Sequence, residues 1–330
     1  MERKAIQWML AIVMGIVLPA LLFTIAEQVP RGNIAEQTYT EITQNETEQQ
    51  ETAALPVYES RTIQVLQNDG SIQDFELEEY VTGVVLGEMP ADFETDALKA
   101  QAVVARTYAL KRNTTGKKHR DGAVCMNAGC CQAYCSEETY LKQGGLDSAV
   151  EKVRIAVQST AGQVLTYEGK LIEATYFSCS GGKTEDAVAV WGTDVPYLQA
   201  VDSPGEEHAV YHSDTVKYTS KEFADRLGIK ASGLPASWLG TVIYTEGDGV
   251  DQMEIAGKVF KGTTLRTKLG LRSTSFSIQI NGDTVTITTK GFGHRVGMSQ
   301  YGADAMAVKG SDYKQILAHY YPGTALQIYT

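Results

Sequence analysis

The chain has 330 residues, enough for one large domain or two smaller ones. Its formal net charge of −11 leaves no large basic face to neutralise phosphates, which argues against a nucleic-acid partner. A sugar polymer, read by hydrogen bonds and stacking, suits such a surface, and 17 tyrosines offer both kinds of contact.

In chain order, residues 5–26 carry no charge and follow Arg3 and Lys4. A single membrane span needs about 20 apolar residues, whereas the apolar part of a cleaved signal peptide usually runs about 7–15. The alternatives are a permanent anchor and a signal peptide. The run length and the poor cleavage site at Thr24-Ile25-Ala26 favour the anchor. Residues 1–4 then stay in the cytoplasm by the positive-inside rule, and the rest faces outward. Residues 27–57, rich in Thr, Gln and Glu, bury too little apolar surface to fold and read as a tether.

The globular part opens "RTIQVLQNDGSIQDFELEEYV", a strand, an Asn-Asp-Gly turn and a second strand. Leu77, Val81, Val84 and Val85 then keep helical spacing, with Gly87 a natural stop. A second helix starts between Asp92 and Thr95 and runs to about Lys111. Leu98, Ala102, Ala105 and Ala109 form its close-packing face. "GQVLTYEGKLIEATYFSCSGG" reads as a hairpin turning at Glu-Gly, and "FSIQINGDTVTIT" as one turning at Asn281-Gly282. Two helices close the chain, one near Ser299–Val308 and one from Ser311 to Pro322-Gly323. Helices and hairpins without regular βαβ units define an α+β class, with a core over 58–205 and 286–330 and an inserted subdomain over 206–285.

Glu88 follows Gly87 and precedes Met89-Pro90. At a helix C-terminus the dipole disfavours a second negative charge, and apolar neighbours disfavour the ionised form. Both raise the carboxyl pKa toward that of a general acid. Lys99 and Arg106, seven apart on the next helix, could hold polar groups of a substrate beside it. Taken alone, the stretch fits equally a surface glutamate in a turn with two solvated bases.

"KKHRDGAVCMNAGCCQAYC" gathers His119, Cys125, Cys130, Cys131 and Cys135. Outside a membrane a disulfide is one expectation. Adjacent cysteines do not readily pair, and one His with three thiolates is the ligand set of a structural Zn²⁺ site. His119, Cys125, Cys130 and Cys131 are the expected ligands, with Cys135 a spare that could replace any of the three thiolates. A four-ligand site leaves no position for water, which argues against a zinc amidase.

Four stretches, "GEMP", "ALKAQAVVARTYAL", "YFSCSGGKTEDAVAVWGTDVPYLQAVDSPGEE" and "GFGHRVGMSQYGADAMAVKGSDYKQILAHYYPGT", resemble the SpoIID/LytB family, in order from about residue 60 to the C-terminus. The resemblance implies a peptidoglycan lytic transglycosylase, acting during engulfment in sporulation, whose essential glutamate is Glu88. Such an enzyme needs no second carboxylate, because the 6-hydroxyl of N-acetylmuramic acid is an internal nucleophile, unlike the water or carboxylate of ordinary glycosidases. Ser178, Ser180, His294, Ser299, Gln300 and Tyr301 are the implied sugar contacts, and glycines at 181–182 and 291–297 would let the backbone approach a glycan. The resemblance also implies denuded glycan strands as substrate, a SpoIIP amidase and a SpoIIM membrane protein as partners, a mother-cell membrane facing the forespore, and a metal in the cysteine region, as in some clostridial members. Two positions depart from the pattern: Cys179 in "SCSGG", and Arg295 where Gly is expected. The competing functions are a non-catalytic glycan-binding module that stimulates an amidase, as described for LytB-type relatives, and a Cys/His peptidase using Cys179 and His294. The second lacks a recognisable nucleophile elbow.

Overall fold

The computed structural model describes residues 60–230 and 233–329. The expected anchor and tether lie outside the described residues. Among these, no helix is long and apolar enough to cross a membrane. Helices and short, mainly antiparallel sheets alternate, as the pattern of periodic runs and turn residues requires.

Strands β1 (Thr62–Leu66) and β2 (Ile72–Glu76) form the expected hairpin, and β3 (Val124–Cys125) adds in parallel to β1. Helix α1 (Leu77–Glu88) starts where the Glu76 carboxylate accepts the Glu79 amide at 2.8 Å, satisfying an orphan N–H of the first turn. Its Leu77, Val81, Val84 and Val85 are fully buried, together with Tyr80. Helix α2 (Thr95–Thr114) is buried along most of its length, because α1, α4 (Asp147–Gln158), β4 (Gln163–Tyr167) and the C-terminal helices all pack on it. The small residues of "ALKAQAVVARTYAL" let these neighbours approach. Short helix α3 (Glu137–Lys142) precedes α4.

Strand β4 pairs with β5 (Lys170–Leu171) through the predicted Glu168-Gly169 turn, both residues at positive φ, and on its other edge with β16 (Ala325–Ile328). Helix α8 (Gln300–Val308) is capped by Ser299, and α9 (Tyr313–Tyr320) by a reciprocal Asp312/Gln315 box.

Among the described residues there are two apolar cores. The first is built on α1 and α2; the second gathers Phe223, Leu227, Met253, Ile255, Leu265, Val285 and Ile287. The elements of the second run from β9 (Ser213–Thr219) to β14 (Thr284–Lys290), whereas the sequence reading set the insert at 206–285. They also include α6 (Ser220–Leu227), α7 (Gly262–Leu269), the sheet β10-β11-β12 (Leu239–Tyr244, Val250–Ile255, Lys258–Lys261) and β13 (Phe276–Asn281). In the β13–β14 hairpin Asn281 pairs with Thr284, so the two-residue loop is Gly282-Asp283, one position beyond the expected Asn281-Gly282. Gly282 supplies the positive φ at its first position.

Candidate active site

Glu88 is the last residue of α1, and its side chain enters a cleft of about 970 Å³. Gly87, expected to stop the helix, lies inside it and has a different task. A Cβ there would come within 2.9 Å of the Tyr134 amide nitrogen, and one at Gly83 would collide with the Tyr134 ring. The two glycines, one helical turn apart, let the chain after the cysteine cluster lie against α1, where Cys135 N–H donates to Gly83 C=O at 2.9 Å. That contact carries the Ala133 N–H to the Glu88 carboxylate, to which it donates at 2.5 Å.

The Glu88 pKa is raised above the ordinary carboxylate value of 4.5, chiefly by burial. The Ala133 amide, the Tyr176 hydroxyl and the Gln300 amide pull the other way without cancelling it. The direction agrees with that expected from the helix end and Met89-Pro90, but Met89 is buried, Pro90 is exposed, and desolvation is the main cause. Gln300 lies close enough to favour the charged carboxylate, yet its buried Nε2 has no hydrogen-bond partner among the described residues. It is a donor available to a ligand.

Two distant stretches form the cleft floor. Strand β6 (Tyr176–Phe177) runs parallel to β15 (Met298–Ser299), and Cys179 bridges Phe292. Among the glycines expected to face a glycan, Gly181 and Gly291 serve this junction, a Cβ at Gly181 sitting 2.8 Å from the Gly291 nitrogen, whereas Gly293 lines the Glu88 cleft. Tyr176 takes a hydrogen bond from Gln132 at 3.0 Å, a second tie to the segment after the cysteines. Helix α5 (Ala187–Trp191) brings the half-exposed Trp191 ring to 5.4 Å from His294. His294 accepts the Val296 amide on Nδ1, and burial with the nearby Arg266 charge lowers its pKa to about 4. It is neutral at physiological pH. Another carboxylate on the wall, Glu173, is held by Arg112 at 2.5 Å and Lys111 at 3.4 Å.

Of the expected sugar contacts, Ser178, His294 and Gln300 line this cleft with Glu88. The others do not. Arg106 is fully buried; its Nε donates to Glu78 Oε1 at 2.9 Å and its Nη1 to the Gln163 carbonyl at 3.1 Å. It faces inward because packed elements surround its helix, so a basic residue there must find a buried partner. Lys99 lies against Asp96 at 3.4 Å and over the Tyr313 ring. Ser180 is buried and donates to Glu206 at 2.9 Å, and Ser299 is spent capping α8. Tyr301 packs between Phe93 and His208. Cys179 is buried, and burial with the Glu206 charge pushes its thiol up to about 12, which removes it as a nucleophile.

Sequence reasoning missed Tyr176, Trp191 and Ala133. Tyr176 and Trp191 sit inside the quoted "YFSCSGG…VWG" stretch, so the motif flagged their neighbourhood without their roles. Ala133 acts through its backbone, and no side-chain pattern signals that.

His119, Cys125, Cys130 and Cys131 bring their ligand atoms within 4.8 Å of one another, with His119 Nε2 at 3.4 Å from Cys130 Sγ. Donors about 2.0–2.3 Å from one tetrahedral ion stand roughly 3.5–4 Å apart, so this group could hold a metal. Cys135 lies outside it, its Sγ against Ser136 C=O, and all five cysteines are free thiols. Cys130 and Cys131 also line the Glu88 cleft.

Glu88 and the cation-paired Glu173 thus share a cleft lined by aromatic and polar side chains and by Cys130 and Cys131, the composition of a ligand-binding cleft. Residues 67–167 match the SpoIID family, described as stage II sporulation protein. The chain is 40% identical over 278 residues to stage II sporulation protein D of Bacillus subtilis (strain 168), covering 83% of this chain and 78% of that one. It is 41% identical over 275 residues to the protein of that name from Bacillus amyloliquefaciens, covering 82% and 77%. It is 30% identical over 307 residues to an amidase enhancer of Bacillus subtilis (strain 168), 75% of this chain but 40% of that protein. The chain belongs to the SpoIID family of sporulation proteins.

Proposed function

We propose that this protein is a lytic transglycosylase that cleaves peptidoglycan glycan strands during engulfment. The observation that carries the reading is Glu88: a carboxyl group kept toward its neutral form by burial, inside a cleft whose other carboxylate, Glu173, is matched by two cations. Glu88 protonates the glycosidic oxygen as the bond to C1 of N-acetylmuramic acid breaks. The resulting carboxylate takes the proton of the 6-hydroxyl, whose oxygen closes on C1 to give the 1,6-anhydro ring. One acid in two protonation states completes the cycle. Trp191 offers a sugar-stacking face, and the free Gln300 amide a donor to a ring substituent. The neutral His294 serves as a hydrogen-bond partner and not as an acid.

Residues 5–26 anchor the chain, and residues 27–57 hold the catalytic part outside the cytoplasm, at the mother-cell membrane facing the forespore. Denuded strands are the substrate, with a SpoIIP amidase and a SpoIIM membrane protein as partners. His119, Cys125, Cys130 and Cys131 would hold a structural Zn²⁺, which supplies folding free energy to the loop and no reacting group.

The similarity to an amidase enhancer favours one second reading, a glycan-binding module that stimulates an amidase without cleaving. Mass spectrometry of glycan strands incubated with the full-length protein separates them. Anhydro-muramic ends support the transglycosylase; reducing ends would indicate a hydrolase, and absence of product with retained binding would leave the binding module.

A further inference from the structure

A second cavity, of about 480 Å³, lies away from Glu88. Its walls come from β7 (Gly182–Lys183), its partner β8 (Asp202–Ser203), the turn before β11 and the adjoining ends of β13 and β14. Lys183, Lys290 and Arg295 line it together with Asp202 and Asp248. Neither lysine has a carboxylate within salt-bridge distance among the described residues.

Arg295 is the unusual member. It is 1% exposed and sits at φ +65°, a conformation that costs a non-glycine residue roughly 1 kcal/mol or more. Three backbone carbonyls hold its side chain: Ser180 at 2.9 Å, Lys183 at 2.7 Å and Gly247 at 2.5 Å. Its Nη1 has no partner among the described residues. An unsatisfied buried donor is costly, more so on a charged group, and a guanidinium suits the planar fork of a carboxylate. The three cations are set against Asp202, Asp248 and the buried Glu185, whose charge acts on Arg295, so the charges are close to balanced. That balance suits a carboxylate carried beside an ammonium group better than a phosphate dianion, which Asp202 and Asp248 would repel.

We propose that this cavity binds a zwitterionic amino-acid group, its carboxylate toward Lys183, Lys290 and Arg295 and its ammonium toward Asp202 or Asp248. The group could be a free amino acid or a whole dipeptide, since each carries one carboxylate and one ammonium, set further apart in the dipeptide. The site is independent of the cleavage chemistry at Glu88.

Calorimetric titration of the full-length chain with alanine, dialanine, acetate and inorganic phosphate tests this. Saturable binding of alanine or dialanine, at least tenfold tighter than acetate or phosphate, is expected, and the tighter of the two identifies the source. The Lys183→Ala/Lys290→Ala double variant changes one half-buried and one exposed side chain outside the apolar cores and should weaken binding at least tenfold, with the melting temperature within a few degrees. Asp248→Asn should bring alanine or dialanine down toward acetate. Glu88→Gln should bind as the unmodified protein does, so this proposal and the transglycosylase reading fail separately. No saturable binding, equal or tighter binding of acetate or phosphate, or indifference to the double lysine substitution would each overturn the proposal.

Discussion

The Ala133 amide donates to the Glu88 carboxylate at 2.5 Å, two positions after Cys131. The acid of the cleft is therefore tied to the backbone that leaves the thiol cluster. The same segment supplies Gln132 to Tyr176 and rests on α1 through Gly83 and Gly87.

If the cluster holds zinc, its removal should reach the cleft. Elemental analysis should find about one zinc per chain, and chelation should increase amide exchange over residues 117–135, because metal affinity in such a site is also folding free energy. Glycan cleavage should fall in step with that exchange, since the Ala133 N–H and the Tyr176 tie depend on the loop. Cys125→Ser should lose the metal, whereas Cys135→Ser should retain it. A metal-free protein with two thiols missing on titration would mean a disulfide instead.

Glu88→Gln should lower glycan cleavage by about 10²–10⁴-fold, the usual worth of general acid–base catalysis, with binding of strands retained. The amide still accepts the Ala133 N–H. The pH dependence of stability has a definite sign. A carboxyl whose folded pKa lies above its unfolded value binds its proton more tightly when folded, so Glu88 loses stability as pH rises above about 4.5. The Gln variant should match the parent at low pH and gain on it above that point, measured by denaturant unfolding across pH.

His294 gives the opposite slope. Its folded pKa of about 4 lies below the ordinary imidazole value of 6.5, so the unfolded chain takes up a proton first as pH falls. Stability should drop between about pH 6.5 and 4, and His294→Gln should remove that part of the drop. Unfolding midpoints of the two proteins over this window check it.

Trp191→Ala should weaken binding of glycan strands about tenfold, near 1.4 kcal/mol, while leaving the melting temperature within a few degrees. The ring is 47% exposed on the cleft wall and carries little of the core. Calorimetric titration with short strands reads the effect.

Arg106→Ala should act on folding and not on substrate. Truncation leaves Glu78 buried without its cation, which typically costs about 3–5 kcal/mol. The fall should appear in denaturant unfolding, and KM for glycan strands should be unchanged in whatever fraction folds.

The sequence by itself determined the local elements. Hydrophobic spacing placed α1 and α2, Glu168-Gly169 and the Asn281–Asp283 region placed two hairpins, and the helix pattern put Glu88 at the end of α1, while its neighbours alone fitted a surface glutamate equally well. These signals are legible because helical and strand periods and turn conformations are set by residues a few positions apart. Tertiary structure decided which polar side chains face solvent. Lys99 and Arg106 share a helix, but Arg106 meets Glu78 inside the protein because neighbours pack around α2 on several sides. Ser180 and Ser299 were drawn into a buried carboxylate contact and a helix cap, and Gly87 into making room for a chain that returns 47 positions later, at Tyr134. Such pairings depend on which surfaces fold together across long stretches of chain, and a backbone donor such as Ala133 N–H leaves no mark in residue identity.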